Sequence, residues 1–172
     1  MFRRRKDAVE PVEAPAAPAD VFVALRNQLL SLDPDSVGIR PAGSGAATWG
    51  CVMDTGYPNG VATLVCLRDG TTSLYTSSGF GIIGGESHQS VVGENARLLA
   101  VLEEHLDQMA PSMDHTLPRE GRTIIRALTF AGQRLIEAPD DDLGNGRSAL
   151  SPVFHAAHAV ITQLRLIHDE RR

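Results

Sequence analysis

The sequence predicts an α+β fold, in which one antiparallel β-sheet of about five strands carries helices on one face, as a two-layer domain. Three observations favour this class. Short runs rich in β-branched residues alternate with tight-turn sequences over residues 49–78. An amphipathic run follows at residues 91–109, and two further strand-like runs precede a final amphipathic run. The predicted element order is therefore α-β-β-β-α-β-β-α.

The first 19 residues are predicted to form a tail outside a single domain that spans residues 20–172. Proline and alanine dominate residues 7–19 without any periodicity, which indicates extended or disordered chain. Asp20 is then a typical N-cap for the first helix. The apolar residues of this helix repeat at helical spacing and predict one buried face, formed by Phe22, Leu25, Leu29 and Leu32.

A β-hairpin is predicted over residues 49–67, because two apolar runs flank a turn that contains glycine, proline and asparagine. With Thr55 placed opposite Gly60, Cys51 and Cys66 lie on the same face at a diagonal, about 7–8 Å apart. That distance is too long for a relaxed disulfide. We therefore interpret both cysteines as small buried side chains in a reducing compartment.

A third strand is predicted at residues 72–78, and a glycine-rich loop follows it. Gly79, Gly81 and Gly84 spell G-x-G-x-x-G, the dinucleotide-binding fingerprint when it joins a parallel strand to a helix. Here the preceding strands are predicted to be antiparallel, and five further residues separate the glycines from the helix. We therefore prefer a strand end that bends, with glycines permitting positive φ angles.

The same loop is nevertheless the best candidate site in the sequence. The residues assigned to it as a ligand or partner loop are Gly79, Gly81, Gly84, Gly85, Glu86 and His88. Glutamate and histidine are capable of acid–base work, but adjacency in sequence does not align them for it. No catalytic residue, cofactor or metal site is assigned. Enzymatic activity is left open, with its absence favoured.

The central helix is predicted at residues 91–109 and two returning strands at residues 122–130 and 133–137. The acidic residues 140–146 are predicted to form a solvated loop, because they lack the alternating acids and distal glutamate of a calcium-binding loop.

The last helix is predicted to begin at Ser151, a capping hydroxyl followed by proline. It carries His155 and His158, which could share a metal ion at this spacing. No third ligand is tied to them by sequence, and we interpret them as a half-exposed pair.

Charge and hydropathy limit the partners. The net charge is −5, and beyond the four basic residues at positions 3–6 the chain carries 12 basic and 21 acidic residues. An acidic body argues against nucleic acid as a partner. We interpret Arg3, Arg4, Arg5 and Lys6 as a solvated tail, with a contact to anionic lipid or an acidic partner as the alternative. No apolar run approaches the length of a membrane span, so a cytoplasmic protein without an integral membrane segment is expected.

The predicted element order resembles that of type III secretion chaperones and of the YbjN-like bacterial regulators. The resemblance covers about residues 20–168 as topology only, and no site residue is carried over from it. It implies a small cytoplasmic homodimer that binds another protein. We therefore expect a non-enzymatic, chaperone-like or adaptor module, pairing with a protein partner or itself. The alternative is a small-molecule-binding protein or enzyme that uses residues 79–88.

Overall fold

The computed structural model describes residues 18–171, which form a seven-stranded antiparallel sheet and four helices. The predicted α+β class and antiparallel sheet are confirmed. The basic leader and almost all of the tail predicted for residues 1–19 lie outside the described residues. Within the described range, no helix combines the length and apolar character that a membrane crossing requires.

The helices and strands of the described residues have the following bounds. The helices are α1 (Pro18–Leu30), α2 (Gln89–Glu103), α3 (Asp140–Gly144) and α4 (Ser151–Glu170). The strands are β1 (Thr48–Tyr57), β2 (Gly60–Leu67), β3 (Thr72–Thr76), β4 (Gly81–Ile82), β5 (Ala110–Pro111), β6 (Arg122–Thr129) and β7 (Gly132–Pro139). Their order across the sheet is β4-β3-β2-β1-β6-β7-β5.

The sheet has seven strands instead of the predicted five, because a two-residue strand that was not predicted lies at each of its edges. A strand of two residues is too short to show an alternating apolar pattern in sequence. β4 comes from the glycine-rich loop, and β5 contains a proline, which cannot donate a backbone hydrogen bond. Short edge strands of this kind offer little unpaired backbone to another chain.

α1 lies on the opposite face of the sheet from α2 and α4, so the prediction that all helices share one face is wrong. Consecutive residues of β1 contribute to two separate apolar clusters. Met53 packs in the cluster formed with α2 and α4, whereas Val52 packs with Leu30 of α1. β1 is buried along nearly its whole length because both of its faces are covered.

A buried ion pair attaches α1 to the sheet. Arg26 Nη2 donates to Asp54 Oδ2 at 2.8 Å, and the two side chains are 3% and 0% exposed. Thr63 Oγ1 donates to the same carboxylate at 2.6 Å, and Arg26 Nη1 donates to the carbonyl of His115 at 2.6 Å. The buried face of α1 therefore includes Arg26, whereas the predicted core residue Leu25 is 49% exposed.

The turn between β1 and β2 is shorter than predicted, which changes the pairing of the cysteines. Tyr57 lies opposite Gly60, so the register moves by two residues and Cys51 lies directly opposite Cys66. The predicted diagonal placement is wrong, since Cβ atoms in direct pairs are about 4.5–5.5 Å apart. Both thiols are free and buried. Burial raises the pKa of Cys51 to about 12 and also raises the pKa of Cys66.

Two further elements differ from the prediction. α2 ends at Glu103 instead of residue 109, because the chain turns away to reach β5, which pairs with β7 at the sheet edge. The acidic residues predicted as a loop form α3, and its three aspartates occupy the first turn. Negative charge is favoured there by the helix dipole.

Candidate functional site

A cavity of about 240 Å³ lies between α4 and one end of the sheet, and we call it the α4 cavity. The end of β1, the start of β2 and the end of β3 meet there because these strands are antiparallel neighbours. The turn between β3 and β4 contributes to the cavity wall, and the middle of α4, from His158 to Arg165, contributes the opposite side. Ligand sites in proteins are typically concave recesses that combine apolar walls with a few placed polar groups.

The floor of the α4 cavity is apolar. Met53, Leu64 and Leu74 come from three adjacent strands and are buried in the core that α2 and α4 cover. Ala62 and Ile161 extend this surface from β2 and α4. Covering such a surface with an apolar group is favourable by about 25 cal/mol per Å².

Thr55 supplies a buried hydroxyl whose hydrogen bonds have a fixed direction. Thr123 Oγ1 donates to Asp140 Oδ1 at 2.7 Å, and the Oγ1 atoms of Thr55 and Thr123 are 3.0 Å apart. Because a hydroxyl carries only one proton, Thr123 accepts from Thr55. The Thr55 proton is thereby used within the protein, and this oxygen can only accept a bond from a molecule in the cavity.

His158 contributes an imidazole from α4. Its ring packs against Phe154 with centroids 4.3 Å apart. Burial lowers the pKa of His158, and the nearby charges of Arg165 and His155 lower it further, while Asp140 opposes them. The ring is therefore neutral at neutral pH, since the pKa of an ordinary histidine is about 6.5.

Arg165 lies one helical turn beyond Ile161 and contributes a guanidinium to the cavity wall. The side chain belongs to an exposed residue. Among residues 18–171, no carboxylate lies within ion-pair distance of it. No aspartate or glutamate of that range lines the cavity either, so the wall is cationic although the chain as a whole is acidic.

The mouth of the cavity is shaped by the turn between β3 and β4. The backbone N–H of Thr76 donates to the carbonyl of Phe80 at 2.8 Å, and the N–H of Phe80 donates to Thr76 Oγ1 at 3.2 Å. These bonds hold Phe80 at the rim, where its ring and that of His168 pack in a T-shaped arrangement with centroids 5.5 Å apart. Nearby, Gly60 has φ +142°, and a side chain there would collide with Ser77.

The residues predicted as a site from sequence lie beside the α4 cavity and do not line it. Four of them line a separate shallow depression of about 210 Å³ against the last turns of α4: Gly81, Gly84, Gly85 and His88. Gly79 forms the turn before β4, and Glu86 is exposed outside both recesses. Phe80 is the residue of this loop that reaches the cavity.

Packing accounts for the glycines of this loop. A Cβ atom at Gly85 would lie 2.9 Å from side-chain atoms of both Leu164 and Val91, so only glycine lets α4 approach this closely. Gly84 has φ +81°, a left-handed conformation that other residues rarely adopt. Arg171 Nη2 donates to His88 Nε2 at 2.7 Å on the surface. The strands before the loop are antiparallel, so the context of a dinucleotide-binding fingerprint is not met.

The histidine pair of α4 separates in the structure. His155 is exposed, with Nε2 3.1 Å from the carbonyl oxygen of Gly144, while His158 faces the cavity. Sequence reasoning missed Arg165 and Thr55 as site residues. The available signal was that residues 158, 161 and 165 follow helical spacing beside the apolar stripe, which places a histidine and an arginine on one face.

The α4 cavity can hold and orient a small amphipathic molecule. It combines an apolar floor with a neutral imidazole, an accepting hydroxyl and one guanidinium that has no acidic partner in the described chain. Comparison of the chain with protein-family models, with curated proteins and with solved structures gave no match.

Proposed function

We propose that this protein binds a small molecule in the α4 cavity. The observation that carries the proposal is a recess of about 240 Å³ whose floor is part of the apolar core. A core surface left open at a sheet end is stabilised when a ligand removes it from water. Polar groups at fixed positions around the floor then select the orientation of that ligand.

Binding is favoured over catalysis by the way the cavity hydroxyl is bonded. Nucleophilic catalysis needs a hydroxyl whose proton passes to a neighbouring base. The hydroxyl of Thr55 donates to Thr123, and Thr123 donates to Asp140, so the Thr55 proton is held by Thr123, and no hydrogen bond joins Thr55 to His158 among the described residues. The proposed role is therefore recognition of a molecule that leaves unchanged.

The test is a titration of the ¹⁵N-labelled protein with hexanoate and with 1-hexanol, followed in backbone amide NMR spectra. At roughly 0.5 kcal/mol per heavy atom, a probe of this size binds with a Kd of about 1 mM. We expect shifts confined to the lining segments of β1, β2, β3 and α4. Ala62→Leu fills part of the cavity and should abolish the shifts, whereas Ala100→Leu on the exposed side of α2 should keep them. Absence of saturable binding by both probes would overturn the proposal.

We infer a second candidate function, a protein-interaction module, from an apolar patch beside β4. Phe80 and Ile83 are 44% and 78% exposed, and they flank this short edge strand. Exposed apolar side chains that are neighbours favour contact with another protein or a second copy. The further suggestion of a chaperone-like role is supported only by the similar order of the longer helices and strands, and similarity of fold alone is weak support for a function.

The interaction module is tested by light scattering after size exclusion over a range of concentrations. If Ile83 contributes to self-association, the wild-type protein forms a dimer and Ile83→Ser shifts it to a monomer. Leu166→Ser is the matched control, because Leu166 is 53% exposed and lines neither recess. A wild-type monomer at all concentrations would exclude the homodimer.

A further inference from the structure

We propose that the ligand of the α4 cavity is a small monocarboxylate with an apolar body, held with its carboxylate on Arg165. This inference rests on the proposed function and adds the chemical class and the orientation of the ligand. It makes Arg165 the residue that selects a charged ligand over a neutral one of the same shape.

The charge of the wall favours an anion. Arg165 is the sole arginine, lysine, aspartate or glutamate among the described residues that line the cavity, and it has no carboxylate partner there. Although the chain has 21 acidic residues, none of those that line the cavity or form ion pairs in the described range neutralises this guanidinium beside the apolar floor. The planar fork of a guanidinium matches the two oxygens of a carboxylate.

The direction of binding follows from Thr55. Its proton is donated to Thr123, so it presents an acceptor to the cavity, and an acceptor repels a carboxylate. Arg165 is exposed, whereas Thr55 is buried, so the two lie at the open and closed parts of the recess. The carboxylate therefore lies toward solvent and the apolar body extends over Met53 and Leu64.

The volume of the cavity and its single cationic side chain favour a small ligand with one negative charge. A volume of about 240 Å³ is below the usual range of about 300–1,000 Å³ for drug-sized ligands. A phosphate ester carries up to two negative charges and is bound by several donors or cations. One guanidinium beside a neutral imidazole is matched by one negative charge, which a carboxylate supplies.

The experiment compares hexanoate with 1-hexanol, two probes that share a chain length and differ in charge. Dissociation constants are measured by NMR titration for the wild-type protein, Arg165→Gln and Arg97→Gln. Arg97 is the control because it is an exposed arginine of α2 that does not line the α4 cavity. The dispersion of the amide spectrum verifies that each variant is folded.

The expected result is that hexanoate binds the wild-type protein about tenfold more tightly than 1-hexanol, a difference of ~1.4 kcal/mol. Arg165→Gln should reduce this preference to about twofold or less by weakening hexanoate alone, while Arg97→Gln should leave it unchanged. Equal binding of the two probes by the wild-type protein would overturn the carboxylate assignment and leave the cavity as a neutral site. A preference that survives Arg165→Gln would overturn the role of Arg165. Failure of both probes to bind would overturn the proposed function itself.

Discussion

Removing the charge of Asp54 should be among the most destabilising single changes in this protein. Asp54→Asn keeps the shape of the side chain and leaves Arg26 buried without its counter-ion. Arg126 is fully buried nearby, and burial together with Arg26 lowers its pKa. The substitution thus leaves Arg26 without its counter-ion, and it leaves Asp114 as the remaining carboxylate that acts on Arg126.

The magnitude follows from the exposure of the pair. Because the side chains of Arg26 and Asp54 are 3% and 0% exposed, solvent screens their attraction little. Breaking a buried pair by removing one partner costs about 3–5 kcal/mol. For a chain of this size, that corresponds to a decrease in melting temperature of roughly 6–20 °C.

The assay is urea unfolding followed by circular dichroism, with two comparison variants. Asp35→Asn breaks the exposed ion pair with Arg40, whose side chains are 72% and 80% exposed, and should cost less than about 0.5 kcal/mol. The double variant Arg26→Met with Asp54→Leu removes both buried charges and should cost clearly less than Asp54→Asn alone. If Asp54→Asn costs no more than Asp35→Asn, the buried pair does not hold α1 on the sheet.

Three further predictions concern the α2 and α4 face of the sheet. Cys51 and Cys66 should both resist a thiol reagent such as DTNB at pH 8 in the folded protein and react fully in denaturant, because both are buried and burial raises both pKa values. For Cys51, a pKa of about 12 leaves about one thiolate in 10,000 at this pH, and rapid labelling of the native protein would contradict the burial of the two thiols. Gly85→Ala should destabilise the fold by about 1–3 kcal/mol, because the added Cβ atom would lie 2.9 Å from side-chain atoms of α4 and α2. Gly93→Ala is the control, since a Cβ atom there meets nothing within 4 Å, and it should stabilise α2 slightly. Urea unfolding of the two variants measures the difference. The imidazole of His158 should titrate below 6.5 in NMR spectra of the free protein. Bound hexanoate should raise the pKa of His158, so hexanoate should bind more tightly as the pH falls through that pKa. If the titration of His158 is unchanged by hexanoate, the carboxylate lies away from the imidazole.

The sequence predicted those parts of the fold in which the spacing of apolar residues along the chain matches the face that is buried in the structure. The hairpin of β1 and β2, the return strands β6 and β7 and the helix α4 all show their periodicity directly in the sequence. The register of the hairpin was wrong by two residues because glycine, proline and asparagine fit both a four-residue and a two-residue turn. The antiparallel pairing itself does not depend on that choice.

The face of α1 could not be predicted from the pattern of apolar residues. Arg26 interrupts the apolar stripe, so a hydrophobic pattern assigns it to the solvent side. It is buried because Asp54, 28 residues later in the chain, lies opposite it on the sheet. An aspartate that directly follows the apolar residues Val52 and Met53 in a predicted strand was the local sign that this face of the sheet needed a cation.

The glycine-rich loop that the sequence predicts as a site also packs against the end of α4 beside the α4 cavity. α4 extends beyond the core and is held at its far end by the loop, where Gly85 packs against Leu164 and Phe80 packs against His168. This contact fixes the part of α4 that carries Arg165 over the ends of β1, β2 and β3. A side chain at position 85 would push α4 away from the loop and widen the recess. Gly85→Ala should therefore weaken hexanoate binding as well as lower stability, although Gly85 does not line the cavity. If the Gly85→Ala variant binds hexanoate like the wild-type protein, the loop does not determine the shape of the cavity.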